Sequence, residues 1–129
     1  MGIEGVMSVR ILIVDDLSFM RTAIREIIES SGFGVAGEAE NGVQGVKLYR
    51  ERRPDVVLMD ITMPVMDGIE SLKRIVDYDP RARVIMCSAL GQQEYIIRAI
   101  QYGARDFIVK PFRPERIVSA VRKVAKVRE

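Results

Sequence analysis

The 129-residue chain has no histidine and a single cysteine, Cys87. These two shortages exclude much of catalysis. There can be no disulfide framework and no Cys/His zinc centre. Ser-His-Asp and Cys-His nucleophile systems are excluded as well. Any chemistry must fall to carboxylates, hydroxyls, lysines or a hard metal ion. Charge of one sign is also scarce. Twenty Lys and Arg against eighteen Asp and Glu leave a net +2, too little by itself to imply nucleic-acid binding. No apolar run approaches the roughly 20 residues of a membrane span. The opening MGIEGVMSVR lacks the apolar core of a secretory signal. Gly2 follows Met1, but Val6 stands where a myristoylation pattern needs Ser or Thr. The expectation is one cytoplasmic domain with a single core, neither membrane-bound nor nucleic-acid-binding. It should span residues 9–129, with residues 1–8 as a flexible tail ahead of it.

What the chain does have is an alternation. Short runs rich in β-branched residues occur at Val9–Val14, Val35–Ala39, Val56–Met59, Val84–Cys87 and Phe107–Val109. Most are apolar on successive residues, the pattern of parallel strands covered on both faces. Between them lie helical spacings: Met20, Ala23, Ile24, Ile27 and Ile28, then Ile69, Leu72, Ile75 and Val76, then Ile117, Val121 and Val124. Asn41 is placed to cap a helix over 42–52. Gly32 and Gly103 fit helix C-termini, Pro54 and Pro80 fit stops beyond them, and Pro114 fits the first turn of the last helix. Five βα units result, and right-handed crossovers put helices on both sides of a parallel sheet. One motif is discarded. Residues 32–37, GFGVAG, match the spacing of a dinucleotide fingerprint, but a helix precedes them and a strand follows, the reverse of what that site needs.

In a parallel sheet the carboxyl ends of the strands share one edge. Here that edge receives Asp15 and Asp16 after strand 1, Asp60 after strand 3, Ser88 after strand 4 and Lys110 after strand 5. Singly, each has an ordinary reading as a cap or a solvated end. Together, three carboxylates against one ammonium are costly without a counter-ion. Magnesium suits the set, because it takes hard oxygen ligands and shares sites with phosphate oxygens. One aspartate is then free to act as a nucleophile towards phosphorus.

The segments VDD, MDITMPVMDG, CSA and VKPF stand in the order and spacing of the response-regulator receiver family, and the resemblance covers roughly residues 9–127. Within that family CSALGQQ and DFIVKPF are similar to the single-domain chemotaxis regulators. The resemblance implies a flavodoxin-like (βα)5 fold with strand order 2-1-3-4-5. Asp60 would be the phosphoacceptor. Asp16, Asp60 and the backbone carbonyl of Thr62 would ligate Mg2+, with Asp15 acting mainly through a metal-bound water. Lys110 would contact the phosphoryl oxygens, Ser88 would hydrogen-bond them, and Lys110–Pro111 would be cis. The donor would be a phosphohistidine on a chemotaxis-type sensor kinase.

Output would be binding rather than catalysis of a separate reaction, since the protein promotes only its own phosphorylation and dephosphorylation. The chain ends at Glu129, just past the last predicted helix, so no effector domain is expected. The expected target is the flagellar motor switch, with a phosphatase as a further partner and a monomer as the resting state. The switch and partner face would include Ala89, Tyr95, Ile96 and Phe107. Along the fourth helix, Ile97 and Ile100 are expected to point inward, with Ile96 and Tyr95 near the surface. Basic residues on the last helix, Arg113, Arg116, Arg122, Lys123, Lys126 and Arg128, read as a solvated face or one for an acidic peptide. Alternatives are a single-domain phosphorelay shuttle and a receiver excised from a longer regulator. An aspartate-nucleophile phosphatase is disfavoured, because Thr62 stands where its acid-base Asp belongs. A flavodoxin is disfavoured by acids where its phosphate loop should be.

Overall fold

A computed structural model describes residues 9–126. The predicted tail 1–8 and residues 127–129, including Arg128, lie outside the described residues. The β-branched runs form β1 (Arg10–Val14), β2 (Gly34–Ala39), β3 (Val56–Asp60), β4 (Val84–Ser88) and β5 (Asp106–Val109). Between and after them come α1 (Ser18–Ser30), α2 (Gly42–Arg52), α3 (Gly68–Tyr78), α4 (Gln93–Gln101) and α5 (Pro114–Lys126). The strands pair in parallel in the order β2-β1-β3-β4-β5, the flavodoxin-like order. Both β3 and β4 are buried at every position, as continuous apolar runs in a doubly covered sheet must be.

Successive side chains of a strand face opposite ways, which builds two core layers. Leu12, Val14, Val57, Met59 and Met86 meet Val46 and Tyr49 of α2, Leu72 and Ile75 of α3 and Ala99 of α4. Ile11, Ile13, Leu58, Ile85 and Ile108 meet Ile24 and Ile28 of α1 and Ile117, Val121 and Val124 of α5.

The local signals fall where the side-chain chemistry puts them. Asn41 Oδ1 accepts from Gln44 N at 2.9 Å and caps α2, and Asp67 Oδ1 accepts from Glu70 N at 2.9 Å to start α3. Gly32 and Gly103 close α1 and α4 with φ of +90° and +110°, a region that disfavours a Cβ. GFGVAG leads out of α1 into β2, so the fingerprint match is chance. The Lys110–Pro111 bond is cis. No helix among the described residues is long and apolar enough to cross a membrane.

The orientation of α4 departs from expectation. Ile97 and Ile100 face outward, 59% and 51% exposed, while Ile96 packs half-buried against the core and Ala99 is buried. Tyr95 is on the surface as expected. The nine-residue helix buries only a narrow strip, and residues 96 and 99, three apart, share it. Ala99 lets the backbone come close, so the small residue, not the large ones, takes the inward arc.

Candidate functional site

Adjacent strands are in register at the site edge: Val14 pairs with Met59 and Asp60 with Cys87. Asp15 therefore emerges beside Asp60, and the order of the sheet brings in Lys110 from β5. Lys110 Nζ donates to Asp15 Oδ2 at 3.1 Å and to Asp60 Oδ1 at 3.2 Å. Asp15 is buried, and its other oxygen, Oδ1, accepts from Leu17 N at 2.9 Å. Arg21 donates to the Asp15 carbonyl at 2.7 Å and pairs with Glu38 at 3.3 Å, pinning the turn after β1. Asp16 is more open to solvent. One carboxylate oxygen from each of Asp15, Asp16 and Asp60 lies within 4.8 Å of the others, so the three can hold a metal ion.

Electrostatics agree with the geometry. Burial pushes the Asp60 carboxyl from an ordinary 3.8 up to about 6; the Lys110 charge and hydrogen bond pull it down, and Asp15 and Asp16 push it up. Burial draws Lys110 down, but the charges of Asp60 and Asp15 hold it above its ordinary value. One ammonium does not offset the acidic cluster, and a hard cation there would. The donor set is all oxygen, which fits magnesium or calcium and not a soft metal.

Ser88 is fully buried and its Oγ has no hydrogen-bond partner. A buried hydroxyl left unpaired is unfavourable, and this one sits one residue past the partner of Asp60. It suits a ligand oxygen rather than the resting fold. Neighbouring Cys87 is buried, and burial pushes its thiol up to about 12, so it stays protonated and inert.

The loop from Asp60 to α3 is tightly drawn. Gly68 N donates to the Ile61 carbonyl at 2.7 Å, and a Cβ on Gly68 would lie 2.0 Å from the Asp60 carbonyl oxygen. Val65, 81% exposed, takes φ +69° at the loop's tip. Thr62 is on the exposed rim, where its Oγ1 accepts from Gln92 Nε2 at 2.9 Å. Gln92, Arg21 and Gly68 are not among the residues singled out from the sequence. Gly68 had a signal, the Asp-Gly after a turn-forming segment. Gln92 and Arg21 had none, because their bonds reach across elements.

Further out, Ala89, Ile96, Ile97 and Phe107 line a cavity of about 300 Å3 between the loop after β4, α4 and β5. Phe107 is half-buried. Tyr95 is not in that lining but lies on the same helix. Among the basic residues of α5, Arg116 pairs with Asp106 at 3.6 Å and donates to the Phe107 carbonyl at 2.7 Å. The Lys126 side chain lies outside the described residues.

Residues 11–122 match the family model described as the response regulator receiver domain. Chemotaxis protein CheY of Thermotoga maritima is 55% identical over 120 residues, 93% of this chain and 100% of that protein. Chemotaxis protein CheY of Bacillus subtilis is 58% identical over 117 residues, 91% of this chain and 98% of that one. Among solved structures, a chain of the CheX–CheY–BeF3–Mg2+ complex from Borrelia burgdorferi superposes with TM-score 0.86 at 39% identity, covering 89% of this chain and 87% of its own. The response regulator domain of Thermotoga maritima CheB gives TM-score 0.86 at 37% identity, over 92% and 97%. With its strand order, its acid-lysine edge and a family match over most of its length, this chain belongs to the response regulator receiver domain family.

Proposed function

We propose that this protein is a phosphorylation-activated chemotaxis response regulator, with Asp60 as the residue that takes the phosphoryl group. The observation that carries this reading is Lys110 Nζ held between Asp15 and Asp60, beside a buried Ser88 hydroxyl with no partner. An ammonium and a spare hydroxyl converging on one carboxylate are suited to the oxygens of a transferred phosphoryl group.

In this mechanism a carboxylate oxygen of Asp60 attacks the phosphorus of a kinase phosphohistidine. The P–N bond breaks and its electron pair leaves with the imidazole, which regains a proton from solvent. Lys110 neutralises phosphoryl oxygen charge as the bond forms. Asp15, held by Lys110 and Leu17 N, and Asp16 would hold Mg2+ together with Asp60 and the Thr62 carbonyl. When bound, Mg2+ would supply charge neutralisation for the carboxylates and the transferred group. Ser88 then donates to a phosphoryl oxygen and ends its unpaired state. The chain acts on itself and on no separate substrate.

Output would be binding by the surface around Ala89, Tyr95, Ile96 and Phe107, to which the structure adds exposed Ile97 and Ile100. Exposed aliphatics clustered on one helix suit a partner helix or peptide. The proposed partners are a chemotaxis-type sensor kinase, the flagellar motor switch and a phosphatase, met in the cytoplasm by a monomer. Support comes from relatives bearing the name chemotaxis protein CheY, one found in a complex with CheX.

Labelling by acetyl phosphate in Mg2+ tests the site. Asp60→Asn should abolish it, and Asp16→Ala should weaken Mg2+ binding far more than Thr62→Val, whose side chain is not a proposed ligand. Undiminished labelling of Asp60→Asn would remove Asp60 from the role.

A further inference from the structure

The side chain of Gln92 does something that neither the acceptor chemistry nor the helix it precedes requires. Gln92 is the residue before α4, and its carbonyl accepts from Tyr95 N and Ile96 N, yet its side chain makes no capping hydrogen bond to that helix. It folds back instead. Its Oε1 accepts from the Ala89 backbone N–H at 2.7 Å, and its Nε2 donates to Thr62 Oγ1 at 2.9 Å. Gly91, with φ +86° and no atom near a Cβ position, supplies the left-handed turn that reverses the chain. One amide thus ties together the two lips of the site: Thr62, two residues past Asp60, and Ala89, one past Ser88.

We propose that Gln92 is a positioning residue, a clasp that holds the unphosphorylated loop by engaging the Ala89 N–H and gives that donor up to the phosphoryl group. The proposal rests on the reading of Asp60 as acceptor. β3 and β4 are neighbours in register at Asp60 and Cys87, so a phosphoryl group on Asp60 lies at the edge from which Ser88 Oγ and Ala89 N–H project. An anionic phosphoryl oxygen is a stronger acceptor than a neutral amide oxygen. Once Ala89 N–H turns to it, the Gln92 side chain has lost one of its two hydrogen bonds and keeps the one to Thr62. Because Gln92 abuts the first residue of α4, its release acts on the helix that carries Ile96, Ile97 and Ile100. The clasp thus links the charge on Asp60 to the start of the proposed docking helix.

The clasp stabilises the resting form alone, so removing it favours the phosphorylated form. The test is calorimetric titration with beryllofluoride at saturating Mg2+, with Mg2+ affinity measured separately for each variant. Gln92→Ala should bind beryllofluoride about fivefold more tightly than wild type, the factor one net hydrogen bond carries. Thr62→Val should show a smaller gain in the same direction, and the double variant should be no tighter than Gln92→Ala. A structural lesion would instead lower both the melting temperature and the affinity. Unchanged or weaker binding by Gln92→Ala, or single effects that multiply in the double variant, would overturn the clasp and leave Asp60 as acceptor untouched. Failure of wild type to bind beryllofluoride would overturn the acceptor reading, and the clasp with it.

Discussion

Replacing Asp60 by asparagine should make the metal-free protein more stable. Asp60 shares its edge with two other carboxylates and one ammonium, and its side chain is 11% exposed. Its carboxyl titrates near 6 rather than 3.8, chiefly through burial. That difference corresponds to about 3 kcal/mol of penalty on the ionised folded state. Solvent at the rim and relaxation of Lys110 reduce the expected gain to about 1–2 kcal/mol. Asparagine keeps the shape and an oxygen for Lys110 to bond. The pH dependence follows from where the proton resides. Between about pH 4 and 6 the folded wild type keeps a proton that the unfolded chain has released, so this group's contribution to stability falls as pH rises through that window. The asparagine side chain has no such titration. The variant's advantage should therefore be full at pH 8, shrink from about pH 6 downward and vanish below about pH 4. Urea unfolding of both proteins in EDTA, at several pH values, measures it. Saturating Mg2+ at pH 8 should erase the advantage by stabilising the wild type preferentially. Equal or lower stability of Asp60→Asn at pH 8 in EDTA would show that the three acids are not in electrostatic conflict.

Two backbone positions give further checks by urea unfolding. Val65→Gly relieves a left-handed residue at an open loop tip and should stabilise by up to about 1 kcal/mol, the strain relieved less the added freedom of the unfolded chain; a loss of stability would refute strain there. Gly68→Ala drives a Cβ into the Asp60 carbonyl and should cost at least about 2 kcal/mol and weaken beryllofluoride binding; wild-type behaviour would mean that the loop after Asp60 yields freely.

The inner strands β3 and β4 were legible because they are buried on both faces and apolar up to their last residue: VVLMD and VIMCS read as strands and are strands. The edge constellation was legible because topology, not side-chain packing, puts Asp15, Asp60, Ser88 and Lys110 at one end. The face of α4 was not legible. Ile96, Ile97 and Ile100 are equally hydrophobic, and which arc turns inward depends on how near the sheet the backbone runs, which Ala99 decides. Nor was the role of Gln92 legible. A polar residue before a helix reads as solvated, and its bond to Thr62 spans 30 residues of sequence. The resemblance already implies separate parts for Asp15 and Asp16, and burial and the Lys110 bond of Asp15 give the physical difference between them.

The bond from Lys110 to Asp15 joins residues 95 apart in sequence, nearly the whole described chain. No part of the sheet shorter than that can assemble the site, since β5 reaches β1 only across β3 and β4. During synthesis, therefore, the acids of β1 and β3 emerge before their ammonium. A chain lacking its last βα unit has Asp15 and Asp60 without the Lys110 ammonium that pairs with both. On the proposed reading of Asp60 as acceptor, competence to be phosphorylated therefore reports that the last βα unit is in place.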